Sequence, residues 1–98
     1  MRKVKLSDVV LKYLDDLTDY LVDELKISEE TACKRVGRIR TFLASLAMPV
    51  DYTLCRFKKW KELGYHCAVF EKSWVFAYEI FDDGIIVRDM SHTAMLVG

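Results

Sequence analysis

The clearest pattern in the chain is a pair of apolar runs on either side of a short acidic turn. Residues 74–81 and 85–90 are rich in β-branched and aromatic side chains, and residues 82–84 (Asp-Asp-Gly) separate them. Such runs around an Asp-Gly pair are typical of a β-hairpin, whose turn requires positive φ. A third apolar run, residues 65–70, comes before residues 71–73 (Glu-Lys-Ser). The pattern therefore predicts a three-stranded antiparallel meander.

Upstream of the meander, the apolar residues change from alternating to helical spacing. Residues 2–6 alternate charged and apolar side chains, which predicts a short strand at the edge of the sheet. Residues 8–25 carry an apolar stripe at spacings of three and four, and Ser7 stands at the N-cap position. A second stripe follows Ser28 and ends before Pro49. The short connection predicts an antiparallel helix hairpin that packs on the sheet.

These elements predict an α+β fold in one domain, residues 1–98. Its order is β-α-α-β-β-β, with an N-terminal strand and a helix hairpin packed on a small, mostly antiparallel sheet. With 52% hydrophobic and 31% charged residues, the composition is that of a globular chain with a core. No apolar run approaches the ~20 residues of a membrane helix, and the basic N-terminus lacks a signal peptide's apolar segment. We therefore expect a cytoplasmic protein with no membrane contact.

The net charge is zero, but the charges are unevenly distributed along the chain. Residues 1–30 carry five basic and eight acidic side chains, whereas residues 31–72 carry nine basic and three acidic ones. Residues 73–98 carry one basic and four acidic side chains. The positive central block is either an anion-binding face or a complement to the acidic first helix.

Three cysteines, Cys33, Cys55 and Cys67, are widely spaced and form no CxxC pair. Their odd number argues against a disulfide framework, and neither they nor the two histidines have the spacing of zinc ligands. We expect buried, reduced thiols, with no metal and no cofactor.

Residues 51–64 combine aromatic and basic side chains. Leu54, Phe57, Trp60 and Leu63 recur at three-residue spacing, which suits a helical turn or a packed loop. Interleaved aromatics and cations are found on nucleic-acid surfaces, where they stack on bases and neutralise phosphates. In the other interpretation, Phe57 and Trp60 belong to the core and the lysines form a solvated face.

His92 follows the last strand and is a candidate general acid or base, because histidine titrates near neutral pH. The other interpretation is a structural histidine beside a hydroxyl pair, Ser91 and Thr93. No nucleophile elbow, glycine-rich phosphate loop or HExxH motif occurs elsewhere in the chain.

The element order and several motifs resemble the RelE/ParE superfamily of bacterial toxins, small partners in type II toxin–antitoxin modules. The resemblance rests on residues 1–7, on residues 74–78 (Trp-Val-Phe-Ala-Tyr), on residues 83–88 (Asp-Gly-Ile-Ile-Val-Arg) and on His92. Val75 stands where the family has an arginine in its aromatic-Arg-apolar-x-Tyr strand.

The family has two modes of action, and the resemblance implies one of them for this chain. One branch cleaves messenger RNA in the ribosomal A site with basic residues and a terminal histidine or tyrosine, and the other inhibits DNA gyrase by binding. By this resemblance, catalysis falls to His92 with Arg88. The positive charge of the family's strand arginine, which is absent at Val75, would come from the RNA-binding candidates Arg56, Lys58, Lys59, Lys61 and Lys72.

Three hypotheses follow. The leading one is a toxin that acts as a ribosome-dependent mRNA endonuclease, with the ribosome, mRNA and a cognate antitoxin protein as partners. The second is a non-catalytic toxin of the gyrase-inhibiting type, motivated by Val75. The third is a degenerate toxin fold that serves as a protein-interaction module. The sequence leaves open whether the chain is a monomer or a homodimer.

Overall fold

The computed structural model describes residues 2–96 and contains four strands and three helices. The α+β class and the β-α-α-β-β-β order are confirmed, with one additional short helix. Met1, Val97 and Gly98 of the predicted domain lie outside the described residues. The elements are β1 (Lys3–Leu6), α1 (Asp8–Asp23), α2 (Glu29–Ser45), α3 (Lys58–Lys61), β2 (His66–Phe70), β3 (Trp74–Phe81) and β4 (Gly84–His92), followed by a 3₁₀ turn (Thr93–Met95).

The four strands form one sheet in the order β1-β4-β3-β2. Strands β2, β3 and β4 are the predicted antiparallel meander, and β1 is added at the edge, parallel to β4. Both predicted N-caps are present, because the Ser7 hydroxyl accepts the Val10 N–H and the Ser28 hydroxyl accepts the Thr31 N–H. Along residues 2–96, no helix is both long and apolar enough to cross a membrane.

Apolar side chains form a separate core on each face of the sheet. The larger core lies between the helix hairpin and one face, and the smaller core lies between the opposite face and the segment around α3. Alternation along β3 supplies both cores, because successive side chains point to opposite faces. The large core includes Leu14, Leu43, Phe76, Tyr78, Ile85 and Met90, and the small core consists of Cys55, Trp60, Val75 and Ala77 with partly buried neighbours.

The turn chemistry differs from the prediction. Positive φ occurs not in the Asp-Gly turn but in the β2–β3 turn, at Glu71 (53°) and Lys72 (62°). Gly84 is the first residue of β4 and is needed for another reason, the close approach of β1. A Cβ atom on Gly84 would lie 2.3 Å from the carbonyl oxygen of Lys3. The glycine therefore allows β1 and β4 to pair.

Replacing Gly84 should weaken the docking of β1. We expect Gly84→Ala to lower the free energy of unfolding by about 2 kcal/mol, because backbone atoms of Lys3 cannot move aside without loss of pairing. The matched control is Gly37→Ala in the interior of α2, where nothing lies within 4 Å of the added Cβ. That control should stabilise the protein by about 1 kcal/mol. Urea denaturation measures the free energy of unfolding of each variant. An equal change in Gly84→Ala and Gly37→Ala would contradict the close-contact explanation.

Two of the three cysteines are joined, so the prediction of reduced, buried thiols is wrong. Cys55 and Cys67 form a disulfide, and Cys33 is exposed on α2. The pairing follows from the path of the chain before α3, which runs antiparallel to β2. The Cys55 N–H donates to the Tyr65 carbonyl, and the Cys67 N–H donates to the Thr53 carbonyl. Sequence spacing alone does not reveal this ladder.

A polar network fastens the segment after α2 to the sheet. The Arg2 guanidinium binds the Asp51 carboxylate at 2.6 Å, and the buried Tyr78 hydroxyl donates to the same oxygen at 3.1 Å. The Tyr78 oxygen also accepts the Tyr52 N–H at 2.9 Å. The hydrogen bond from Arg2 lowers the pKa of Asp51, whereas burial raises the pKa of Tyr78. The network stabilises the ionised form of Asp51 in the folded protein.

The stabilising effect of Asp51 should disappear in acid. Because folding lowers the pKa of Asp51, its contribution is complete well above the unfolded value of about 3.9 and is lost as the pH falls through the lower folded value. We expect Asp51→Asn to cost about 1–2 kcal/mol at pH 7. Denaturation of both proteins as a function of pH measures the difference. A difference that stays constant down to pH 2 would exclude this linkage.

Candidate functional site

His92 lies at the end of β4, opposite Trp74 at the start of β3. The two rings meet edge to face with centroids 5.1 Å apart, and Tyr13 of α1 meets Trp74 in the same way at 6.1 Å. The strand end and the first helix therefore bring together three aromatic rings. His92 is half-buried and lies on the face of the sheet that the helix hairpin covers.

These rings border a cavity of about 470 Å³ between α1 and the residues that follow β4. Burial raises the pKa of the Tyr13 phenol, and a backbone hydrogen bond with His92 partly offsets the effect. The phenol is therefore neutral at physiological pH. The cavity is lined mainly by aromatic and apolar side chains, with one carboxylate, and its lining includes Tyr13, Asp16, Tyr20, Trp74, His92 and Met95.

The hydrogen bonding of His92 limits its chemistry. Its Nδ1 accepts the Ala94 N–H at 3.1 Å, so this nitrogen carries the lone pair and Nε2 carries the proton of the neutral ring. In this tautomer, the side chain donates through Nε2 and has no second lone pair with which to accept a proton. A role as hydrogen-bond donor fits the arrangement. A general base or a general acid requires the bond to Ala94 to break first, because the ring that has accepted a proton carries one on each nitrogen.

Arg88 lies on the other face of the sheet from His92. In a regular strand, residues four apart share a face, but β4 has an extra residue here. Ala77 pairs with Asp89 and Tyr78 pairs with Val87, so no residue of β3 lies opposite Arg88 in the backbone register. Such a bulge reverses the alternation beyond it. The structure therefore separates the two residues to which the resemblance assigned catalysis.

The guanidinium of Arg88 interacts with two side chains of β3, Glu79 and Phe81. Its Nη2 lies 2.9 Å from Glu79, and its Cζ lies 5.8 Å from the Phe81 ring centroid. Arg88 also lines a cavity of about 350 Å³ with Lys59, Trp60 and Tyr65. The structure thus brings Arg88 and Lys59 together, away from His92.

The remaining basic candidates lie in two places. Lys58, Lys59 and Lys61 are exposed on α3, next to the exposed Arg56. Lys72 lies in the β2–β3 turn, at the sheet end that holds His92, because its carbonyl accepts the Thr93 hydroxyl. The basic residues around α3 form one surface, which we call the α3 basic surface (Arg56, Lys58, Lys59 and Lys61).

Trp60 belongs to the small core and does not offer a face for stacking. Its side chain is 2% exposed, its Nε1 donates to Asp89 at 3.1 Å, and Lys59 Nζ lies 4.6 Å from its ring centroid. The burial of Trp60 agrees with the core packing of the second interpretation of residues 51–64, and the lysines beside it are exposed. The α3 basic surface carries charge without an exposed aromatic platform from Trp60.

Val75 is buried in the same small core, at 1% exposure. The segment around α3 covers the position at which the resemblance would place an arginine. A side chain at this position is therefore shielded from any large ligand on that face.

Sequence reasoning missed the α1 side of the His92 cavity. Tyr13, Asp16 and Tyr20 recur at i, i+3 and i+7, which places them on one side of a helix. The sequence predicts that these residues share one side of α1, but nothing in it indicates that this side faces the end of β4. That neighbourhood depends on the tertiary arrangement.

Compared with known proteins, the sequence matches no protein-family model and no curated protein. The RelE/ParE resemblance therefore stays a prediction that rests on element order and short motifs.

Proposed function

We propose that the protein is a RelE/ParE-like toxin of a type II toxin–antitoxin pair and that it acts by binding its target, not by cleaving RNA. The observation that carries the binding mode is the separation of His92 and Arg88 by the bulge in β4. Phosphodiester cleavage needs a proton acceptor and charge stabilisation at the same reacting atoms. The burial of Val75 and the occupied lone pair of His92 support the same conclusion.

In this proposal, the α3 basic surface is the contact with the target. Its four cations are exposed, and no salt bridge engages them within the described part of the chain. Exposed, uncompensated charge is suited to an acidic protein surface or to a complex that contains nucleic acid, of which DNA gyrase is an example. The proposed partners are this target and a cognate antitoxin, and the proposed location is the cytoplasm.

The second candidate is the ribosome-dependent mRNA endonuclease. It is favoured by one observation: His92 lines a cavity large enough for a nucleobase, and its Nε2 is available as a donor. His92 would then act as a general acid after it gains a second proton on Nδ1 and releases the Ala94 N–H. Lys72 lies at the same end of the sheet, while Arg88 and the α3 basic surface would contact RNA at a distance. The experiment below separates the two candidates.

Induced expression in a bacterium, with growth measured and mRNA 5′ ends mapped, tests the proposal. We expect growth arrest without new 5′ ends inside reading frames. Replacing Lys58, Lys59 and Lys61 by Gln should relieve the arrest at least about tenfold in viable counts, because each lost surface contact weakens binding by about 1 kcal/mol. His92→Asn, which retains an acceptor for the Ala94 N–H, should leave the arrest unchanged.

The matched control is a variant in which the exposed Lys3, Lys5 and Lys26 are replaced by Gln, which removes equal charge elsewhere. New 5′ ends that vanish in His92→Asn would establish the endonuclease instead. Normal growth on expression of a folded protein would exclude both toxin candidates.

A further inference from the structure

We propose that the cavity beside His92 is a binding site for a guanidinium cation, presented by an arginine side chain of a basic peptide segment. This inference goes beyond the proposed function, because it concerns α1 and the end of β4 and not the α3 basic surface. It rests on the aromatic lining, the charge around the cavity and the hydrogen bonding of His92.

The aromatic rings supply the first part of the recognition. Trp74 and Tyr13 stand nearly perpendicular, with an interplanar angle of 87°, and Tyr20 is 51% exposed at the same cavity. Aromatic faces attract cations through their quadrupole, and tryptophan is the strongest of them. Guanidinium also stacks flat on such rings and is less strongly hydrated than ammonium. The cavity thus favours arginine over lysine.

Electrostatics supplies the second part. Asp16 is the carboxylate of the lining, and its Oδ2 lies 3.0 Å from Lys12. Both side chains of this pair are mostly exposed, so the pair is weak and Asp16 remains open to a competing cation. The Nδ1 of His92 accepts the Ala94 N–H, so this nitrogen donates no hydrogen bond to an anion in the cavity. An anion would meet Asp16 and the negative faces of the rings.

Arg35 and Arg38 line a neighbouring cavity and not this one. Leu17 and Trp74 separate the two cavities, and Arg38 is paired with Glu71. The positive charge of α2 therefore does not line the proposed cation site.

The surroundings indicate a peptide and not a free small cation. Asp15, Asp19 and Asp23 recur at four-residue spacing along α1, next to the cavity, and no salt bridge to them occurs among residues 2–96. A free cation would use only the cavity. A basic segment would place one arginine in the cavity and its other cations along this acidic row.

The test is titration of the full chain with a five-residue peptide, lysine-glycine-arginine-glycine-lysine with blocked ends, followed by NMR. We expect millimolar or tighter binding, with shifts at the Trp74 indole N–H and the amides around Tyr20. The matched ligand has citrulline, the neutral analogue of arginine. We expect it to bind at least about fivefold more weakly, since it loses the cation–π attraction.

Variants at exposed positions locate the site without threatening the fold. Asp16→Asn and Tyr20→Leu should each weaken binding about three- to tenfold, because each removes one element of the recognition. The matched control Asp82→Asn makes the same charge change in the exposed β3–β4 turn, at the other end of β4 from His92, and should weaken binding by less than about twofold in 0.15 M salt.

Three results would overturn the proposal. Equal binding of the citrulline peptide would exclude recognition of the charge, and an effect of Asp82→Asn as large as that of Asp16→Asn would reduce the site to a diffuse acidic field. If blocked arginine alone bound as tightly as the peptide, the ligand would be a free cation. None of these outcomes depends on whether expression of the protein arrests growth.

Discussion

Burial of β3 on both faces is the constraint on which the rest of the structure depends. Val75, Phe76, Ala77 and Tyr78 are consecutive and each is at most 1% exposed, so both faces of the sheet need a cover. The helix hairpin covers one face with its apolar stripes. The other face is left to residues 51–64, which contain one short helix, and this explains the buried Trp60 and the disulfide between Cys55 and β2. The lysines of α3 are exposed because its other side belongs to the small core.

The bulge at Arg88 distributes the charged groups of β4 between these two faces. Before it, Ile85 and Val87 face the helix hairpin, and after it Met90 and His92 face the same side. Without the extra residue, the sequence spacing would have placed Arg88 and His92 on the same face of the sheet. One inserted residue thus places Arg88 beside the α3 basic surface on one face and His92 beside the aromatic cavity of α1 on the other. Bulges often redirect side chains in this way.

Most of the fold follows from local signals that the sequence displays. The hairpin residues, the two N-caps and the helical stripes depend on neighbours within one or two turns, and all of them were predictable. The disulfide, the role of Gly84 and the bulge depend on contacts between distant segments, for which one sequence carries no signal. The candidate site was only partly predictable for the same reason. His92 was visible as a strand-end histidine, but the tyrosines of α1 became part of its surroundings only through packing.

The pairing of β1 with β4 has a consequence for the order of events during synthesis. Lys3 pairs with Gly84, so β1 cannot join the sheet until β4 has been synthesised. Closing the long loop between β1 and β4 costs conformational entropy when no other contacts have formed. Contacts between residues so far apart in sequence therefore form late in folding. The helix hairpin needs only near neighbours and is complete much sooner on a growing chain. We therefore expect the nascent protein to carry an exposed apolar helix stripe until β4 emerges from the ribosome, the interval in which a chaperone or a binding partner would be most useful.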